Sequence, residues 1–322
     1  MATLNSLMKR LRAGGMVIGG SSHKRKLKNL GYYHGYKGYR FVKDASRLLP
    51  ISSFDQIVAL NTFDSSLKTL LYPRLMLLET ALKNYTIEAI LANSKSERLD
   101  DVWSQCVTGH RGLAGKRYRD AWEKRLRLRR ELDDLIYNNR SKDVIKHFWE
   151  GNRDIPIWAL CEVMTLGHFG NLYTCLSKEA KEAVARDLSM PTSVDSPHLL
   201  AAMIFALKDL RNAVAHNAVV FDVRFKTGSI SKGVSDLLCG QMDISRVDFS
   251  SVTDYVLLVV YLMKAIRCSA TECRQFVSSY VDAVEQFRGE VPYSVFSQVI
   301  PTDLRPKAGA ALRYVKSAKQ FI

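Results

Sequence analysis

The stretch SPHLLAAMIFALKDLRNAVAHN, residues 196–217, has the pattern of a single long helix. Ser196 is a residue type that caps helix N-termini, and Pro197 stands at the first helical position, where a missing N–H costs little. Asn217 is a residue type that often ends a helix. The apolar side chains in between recur at helical spacing and form one stripe: Leu200, Met203, Ile204, Leu207, Leu210 and Val214. We therefore predict a helix over 196–217 with one buried face.

This helix carries an arginine and a histidine separated by four residues, Arg211 and His216. With about 3.6 residues per turn, Arg211 falls within the apolar stripe. Asp209, Asn212 and His216 fall on the more polar side. An arginine directed at a core needs an acceptor, because an unpaired buried charge is very costly. Arg211 and His216 lie roughly 140° apart on an ideal helix. Two copies facing each other across a dimer axis would therefore form a compact site more readily than one. The same spacing also arises by chance in helices that carry no site.

The composition is that of a folded, basic protein. Hydrophobic residues make up 47% of the 322 residues, which is enough for a substantial core in one large domain or two modest ones. Lysine and arginine number 47 against 32 acidic residues, for a formal net charge of +15. This balance favours an anionic partner, of which nucleic acid is the commonest. The alternative is a basic protein with no such partner.

Neither a metal site nor a membrane segment is evident in the sequence. The six cysteines are scattered, with no CxxC pair and no zinc-type spacing, so we expect reduced core thiols and no metal or cofactor. The longest apolar run, 255–263, is far shorter than the roughly 20 residues that cross a bilayer, and a buried helix explains it. With no secretory signal evident, we expect a cytoplasmic protein that does not bind membranes.

The first 47 residues are strongly basic, with eleven lysines or arginines and one acid, Asp44. Glycine pairs at 14–15 and 19–20 indicate a mobile arm, and we assign residues 1–50 to it. Cations interleaved with tyrosines can contact phosphates and stack on bases. Equally, the tyrosines can anchor the arm to the core. The candidate RNA contacts in this arm are Lys24, Arg25, Lys26, Lys28, Tyr32, Tyr33, Tyr36, Lys37, Tyr39 and Arg40.

Residues 56–92 have the apolar periodicity of a helix, with Pro73 near the middle. A proline in a helix interior removes a hydrogen bond and clashes with the preceding turn, so we expect a kink or a split there. Glu79 and Lys83 lie one turn apart further along the same segment. They form either an intrahelical pair worth a few tenths of a kcal/mol, or Glu79 is an inward carboxylate that pairs with Arg211.

Residues 94–155 are polar and basic, and we treat them as an insertion. Residues 111–130 contain nine lysines or arginines and two acids, and 116–137 has the spacing of a helix. A basic helix face is either simply solvated or faces RNA, and the density of charge leaves both interpretations open. The candidate RNA contacts in this helix are Lys116, Arg117, Arg119, Lys124, Arg125 and Arg127.

The rest of the chain is helical in pattern, apart from a glycine-punctuated bend at 166–173 and an extended tail at 218–225. We therefore predict an all-α protein. The sequence contains no GxxxxGK[ST], GxGxxG, GxSxG or HExxH. ATP-driven, dinucleotide-dependent, hydrolase-elbow and zincin mechanisms thus lack their usual signatures.

Four segments, in order, resemble the Abi family of bacterial abortive-infection proteins, of the AbiD/AbiF type, within the HEPN superfamily. GYYHGYKGYRF at 31–41 is similar to the family's early Gly-Tyr-Tyr segment, and 54–85 is similar to its helix with Asp and then Glu. IPIWALCEVMTLGHFGNLY at 155–173 resembles its Pro-x-Trp element, and LKDLRNAVAHN at 207–217 its RN…H signature. The resemblance implies an HEPN-like helical bundle over residues 51–322, with additional helices and a basic N-terminal arm.

The resemblance also implies a function. HEPN proteins pair a Glu-x3-Lys/Arg helix with an R-x4-H helix, and they usually act as metal-independent RNases whose two motifs meet in a homodimer. Residues 79–83 and 211–216 fit these motifs. We therefore predict an RNA-binding endoribonuclease of a phage-defence system that cleaves RNA by attack of a ribose 2′-OH. His216 would carry protons, Arg211 would hold the phosphate and Asn212 would position it. Glu79 would orient Arg211, and Lys83 would add positive charge.

The alternative is an RNA-binding module without catalysis. Some Abi relatives are associated with a small noncoding RNA, and the basic arm and the helix at 111–130 would then hold one structured RNA in a ribonucleoprotein. A purely structural helical protein is a third interpretation, which the density of basic residues near aromatic ones argues against.

Overall fold

The computed structural model describes residues 3–191 and 195–317. This part of the chain contains fifteen α-helices and only isolated β-bridges, which confirms the all-α prediction. The helices are α1 (Leu4–Ala13), α2 (Gly20–Leu30), α3 (Phe54–Ser94), α4 (Leu99–Gln105), α5 (Gly115–Asn138), α6 (Asp143–Glu150), α7 (Ile157–Val163), α8 (Leu166–Cys175), α9 (Lys178–Asp187), α10 (Ser196–Ala215), α11 (Lys232–Met242), α12 (Val252–Ala265), α13 (Ala270–Glu290), α14 (Tyr293–Val299) and α15 (Leu304–Lys316).

The chain divides into two compact units. Residues up to Leu75, together with Asp209–Ser317, form the first unit, and Met76–Lys208 forms the second. Helices α3 and α10 contribute residues to both units. The basic segment 1–50 is thus part of the first unit, and the basic segment 94–155 is part of the second.

The N-terminal segment is folded, in contrast to the expected mobile arm. Helices α1 and α2 are followed by a π-helical turn at Gly31–Tyr36 and a 3-10 turn at Lys37–Tyr39. Gly14 and Gly19 stand at the C-terminal cap of α1 and the N-terminal cap of α2. The glycine pairs therefore mark helix ends. Both helices place apolar side chains in the interior, among them Leu11 and Leu27.

Helix α3 runs unbroken for 41 residues with Pro73 inside it, so of the two outcomes expected there the split is wrong, and the kink stays a prediction. Its apolar stripe is buried on both sides of the proline, at Leu67, Leu71, Leu75 and Leu78. Full burial of one leucine contributes about 1.5–3 kcal/mol, whereas an interior proline costs about 3 kcal/mol. The buried stripe as a whole therefore outweighs the lost hydrogen bond.

The expected bend at 166–173 is also wrong, because these residues belong to helix α8. The side chain of Thr165 caps this helix by accepting a hydrogen bond from the backbone N–H of His168. Gly170 serves close packing: a Cβ atom there would lie 3.0 Å from ring atoms of Phe205 on α10. The glycine thus lets an aromatic ring reach the helix backbone, and it does not break the helix.

The core of the first unit is organised around α12. Every residue of this helix except Lys264 is buried, and the helix packs against α11, α13 and α15. This confirms the prediction of a buried helix over the apolar run 255–263. Its one buried acid, Asp254, accepts a hydrogen bond of 2.6 Å from Lys307 on α15. Burial opposes the charge on Lys307, but the carboxylates of Asp254 and Asp303 prevail and raise its pKa.

The second unit is built on α5, which packs against α7 and α8. Leu128 and Leu132 of α5 are fully buried. The helix spans Gly115–Asn138, which confirms the helix predicted at 116–137. Helix α6 packs against α7 and forms a small apolar core with it, in which Ile145, Ile155 and Ala159 are buried.

A buried carboxylate ties three parts of the first unit together. Asp64 on α3 accepts a hydrogen bond of 2.8 Å from the Tyr39 hydroxyl. It also accepts bonds of 2.8 Å from the backbone N–H groups of Val220 and Phe221 and pairs with Lys68 at 2.7 Å. Burial and the neighbouring Asp64 raise the pKa of Tyr39 well above its usual value, so this hydroxyl stays a donor. The N-terminal segment, α3 and the chain after α10 therefore share one acceptor.

A second buried carboxylate, Asp222, joins two of these parts, the N-terminal segment and the chain after α10. It accepts a hydrogen bond of 2.6 Å from the backbone N–H of Lys43 and one of 2.9 Å from Nε of Arg224. The remaining guanidinium nitrogens of Arg224 donate to the carbonyls of Gly38 and Phe41, each at 2.9 Å. The chain after α10 is thus fastened to residues 38–43 by side chains of both charges.

We predict that Asp64→Ala lowers the free energy of unfolding by about 3–5 kcal/mol, because it removes the carboxylate paired with Lys68 and leaves two buried backbone N–H groups without their acceptor. Urea unfolding followed by circular dichroism measures this change. The control is Asp55→Ala, on the same helix, whose carboxylate is 62% exposed and pairs with His23 and Lys26 at the surface. That variant should lose less than about 1 kcal/mol. Equal losses in the two variants would contradict the anchoring role of Asp64.

Candidate functional site

The Arg211–His216 motif occupies the C-terminal end of α10, within the first unit. The side chains of Asn212 and His216 are exposed, and Arg211 is half-buried. Nη1 of Arg211 donates to Oδ1 of Asn212 at 3.4 Å. At this helix end the imidazole of His216 and the amide of Asn212 are therefore exposed to solvent. The guanidinium of Arg211 is only partly exposed.

The end of α10 is held in place just beyond the histidine. Asn217 adopts the left-handed conformation, with φ of 54°, and so ends the helix where the sequence predicted. Its Oδ1 accepts a hydrogen bond of 2.8 Å from Nζ of Lys68, which also pairs with the buried Asp64. His216 is thus adjacent to a residue that is fixed to α3, while its own side chain remains accessible.

Asp209, on the polar side of α10, fastens the loop that follows the motif. Its Oδ2 accepts hydrogen bonds from the backbone N–H of Thr227 at 3.1 Å and from the Thr227 hydroxyl at 2.7 Å. The carboxylate therefore acts in the architecture around the motif.

Glu79 and Lys83 form the intrahelical pair that was one of the two expectations, with Lys83 Nζ 3.0 Å from Glu79 Oε1. Both side chains are largely buried in the second unit. Lys83 also donates to the carbonyl of Met164 at 2.7 Å, at the C-terminal cap of α7. Its ammonium therefore stabilises the fold of this unit. The pairing of Glu79 with Arg211 stays a prediction.

Asp64 and Lys68 were not among the residues predicted from the sequence, although they have the same acid-x3-Lys spacing on α3 as Glu79 and Lys83. The spacing was visible in the sequence, but it does not reveal that Lys68 contacts the residue that ends α10. This contact joins residues 149 positions apart, so only the folded structure reveals it.

The N-terminal RNA-contact candidates divide into exposed cations and anchored tyrosines. Lys24, Arg25 and Lys28 on α2 are exposed. Lys26 pairs with Asp55 at 3.5 Å. Tyr39 is buried against Asp64, as the anchoring interpretation predicts.

Two further tyrosine candidates of this segment, Tyr32 and Tyr36, stack on each other, and each lies beside a cation. The rings of Tyr32 and Tyr36 stack with centroids 5.5 Å apart. Lys37 Nζ lies 5.2 Å from the centre of the Tyr32 ring, and the Arg40 guanidinium lies 5.3 Å from that of Tyr36. Tyr36 is buried, so the prediction that its ring contacts RNA is wrong, and burial raises the pKa of its hydroxyl. The side chain of Tyr33 lies outside the described part of the chain.

Most of the cations predicted to contact RNA on α5 are exposed: Lys116, Arg117, Arg119, Lys124 and Arg127. Arg127 pairs with Glu123 one turn away, at 2.8 Å. Arg125 differs, because it donates to the backbone carbonyls of Val107 and Trp103 and its guanidinium lies 4.2 Å from the centre of the Trp103 ring. Arg125 therefore joins α5 to the segment that begins with α4.

The described residues include no group of three or more His, Cys, Asp or Glu side chains that could hold a metal ion. All six cysteines are free thiols, four of them buried. Burial raises the pKa of Cys161 to about 12, so this thiol stays protonated. Within the same part of the chain, no helix is long and apolar enough to span a bilayer.

A model of the Abi-like protein family matches residues 25–222, which is more than half of the chain. The matched range includes Tyr39, Asp64 and the Arg211–His216 motif. No curated protein and no solved structure gives a match. On the extent of the family match, the chain belongs to the Abi-like protein family.

Proposed function

We propose that this protein is an RNA-binding endoribonuclease of an abortive-infection system, in which infected bacteria are sacrificed to stop a phage. Family membership supports the defence role. One observation carries the nuclease assignment: an exposed imidazole, His216, follows Arg211 and Asn212 at a helix end that Lys68 and Asn217 hold in place. A fixed backbone with an accessible imidazole is what general acid–base catalysis requires.

In the proposed reaction the RNA supplies both the attacking oxygen and the bond that breaks. The 2′-oxygen of a ribose attacks the adjacent phosphorus, the bond from phosphorus to the 5′-oxygen breaks, and the products are a 2′,3′-cyclic phosphate and a 5′-hydroxyl. A base removes the proton from the 2′-OH, and an acid gives one to the leaving 5′-oxygen. His216 supplies proton transfer, and Arg211 stabilises the charge that develops on the phosphate. Asn212 positions a phosphate oxygen.

Two copies of the chain would complete the site. Two proton transfers call for a second titratable group, and the partner's copy of His216 would supply it across a two-fold axis. The angular separation of Arg211 and His216 on the helix leads to the same arrangement. We also propose that the fold is that of the HEPN superfamily, in which paired motifs meet in dimers.

Exposed cations on both units favour RNA as the substrate. Lys24, Arg25 and Lys28 on α2 and the exposed arginines of α5 are not buried in ion pairs. Each phosphate contact that releases counterions makes binding weaker as salt rises. Tyr32 adds an aromatic face beside the cation of Lys37 in the N-terminal segment.

A second function has separate support, namely a ribonucleoprotein in which the protein holds a small structured noncoding RNA without cutting it. The support is that the exposed cations of α2 and α5 lie on elements other than the one that carries His216. Under this function, replacement of His216 leaves the bound RNA unchanged in amount and length.

We predict that His216→Ala reduces RNA cleavage by about 100-fold or more, because general acid–base catalysis contributes about 10²–10⁴-fold. The measurement is the rate at which cyclic-phosphate ends form on a labelled single-stranded RNA. The control is His147→Ala, which removes another exposed histidine, on α6. Full activity of His216→Ala with an unchanged unfolding curve would exclude the proposed mechanism. No cleavage by wild type would favour the ribonucleoprotein.

We also predict a dimer in solution. Light scattering coupled to size-exclusion chromatography should give about twice the 36.4 kDa of one chain. A strict monomer at concentrations where the enzyme is fully active would contradict a site composed from two chains.

A further inference from the structure

A cavity of about 630 Å³ opens in the second unit, away from the Arg211–His216 motif in sequence. Its walls come from residues 109–125, 174–182 and 197–201. Cavities that bind small molecules commonly measure about 300–1,000 Å³. The space is therefore sufficient for a ligand of nucleotide size.

The walls carry far more positive than negative charge. Six lysines and arginines line the cavity, against the two carboxylates of Asp120 and Glu182. Glu182 is already paired with Lys178 at 3.6 Å. Arg117 and Lys124 have no hydrogen-bond or ion-pair partner within the described part of the chain. The cavity thus contains cationic groups that the protein itself does not neutralise.

The cations in the cavity are close enough to affect one another. Lys181 donates to the carbonyl of Thr174 at 2.6 Å. Burial is the main cause that lowers the pKa of Lys181; Cys175 acts in the opposite direction, and the charge of Lys124 contributes to the lowering. Clustered cations that repel one another gain free energy when an anion enters between them. The arrangement therefore favours a ligand that carries more than one negative charge.

A histidine stands at the wall with a fixed orientation. The ring of His110 makes edge contacts with Trp122 and Tyr118, with centroids 4.9 Å and 6.0 Å apart. Its buried Nδ1 has no hydrogen-bond partner among the residues that the structure describes. The neighbouring Gly109 donates to the carbonyl of Cys175 at 3.0 Å. A Cβ atom on Gly109 would lie 2.7 Å from the carbonyl oxygen of Leu176, so only glycine fits at this position of the cavity wall.

The rest of the lining is apolar. Leu113, Ala121, Pro197 and Ala201 face the same space. An inorganic anion would leave these side chains in water, whereas an organic phosphate would cover them and gain hydrophobic free energy. The combination of a cationic cluster and an apolar wall points to a phosphate group attached to a flat or apolar body.

We propose that this cavity binds the phosphomonoester of a nucleotide, presented either by a free mononucleotide or by the phosphorylated end of an RNA. A phosphomonoester carries a charge of about −1.5 to −2 at pH 7, compared with one charge on each phosphodiester of the RNA backbone. The guanidinium of Arg117 can bind two of its oxygens at once, and Lys124 supplies a second cation. In its RNA-end form this inference rests on the proposed function, and in its mononucleotide form it does not.

The first experiment uses the full-length protein and titrates it with adenosine 5′-monophosphate, inorganic phosphate and adenosine. We expect binding of the monophosphate, weaker binding of phosphate and none of adenosine. Arg117→Ala should weaken binding of the monophosphate by about tenfold or more. The matched control is Arg119→Ala, an exposed arginine on the same helix that does not line the cavity, and it should change binding less than about twofold. Equal effects of the two variants would overturn the proposal.

The second experiment separates the two sources of the phosphate. One RNA sequence is prepared with a 5′-phosphate, a 3′-phosphate or hydroxyl ends, and binding is measured for wild type and Arg117→Ala. A preference of about tenfold for one phosphorylated end, lost in Arg117→Ala, assigns the cavity to an RNA end. Binding of the monophosphate without an end preference assigns it to a free nucleotide. No binding of the monophosphate and no end preference would overturn the inference, while salt-dependent RNA binding and cleavage would still support the proposed function.

Discussion

The buried carboxylate of Asp64 is the constraint on which the candidate reaction centre depends. It accepts hydrogen bonds from Tyr39 and from two backbone N–H groups after α10, and it pairs with Lys68. A buried carboxylate is tolerated only when donors surround it, so these segments must meet in one arrangement. Lys68 extends that arrangement to Asn217. The position of the imidazole at the end of α10 is therefore a consequence of charge burial some turns away.

Features that local sequence determines were predicted well, and features that depend on packing were not. The limits of α5, the stop at Asn217 and the buried α12 follow from periodicity and capping, which act over a few residues. Pro73 remains inside a helix because a long buried stripe surrounds it. The accessible sides of Asn212 and His216 could be predicted from the helical wheel. The contact of Lys68 with Asn217 could not, because its spacing is shared by Lys83 and its partner is distant in the chain.

The net charge of +15 combines cations with two different tasks. Some serve the fold: Arg125 donates to backbone carbonyls, Arg224 fastens residues 38–43, and Lys307 neutralises a buried acid. Others, such as those of α2 and most of those on α5, remain exposed. Only the second group is available to an anionic partner. The net charge alone therefore overestimates the number of cations that could contact RNA. The two compact units each keep part of it, with the imidazole of the motif on the first and the cationic cavity on the second.

The most direct test concerns the nucleic acid that the protein itself carries. Wild type and His216→Ala are purified in parallel at low salt, and the RNA bound to each is extracted and sequenced together with the chemistry of its ends. If the protein is a nuclease that acts through His216, the variant retains RNA that wild type lacks, and RNA exposed to wild type gains cyclic-phosphate ends. One discrete RNA with the same ends in both preparations would contradict the nuclease and identify a stable ribonucleoprotein.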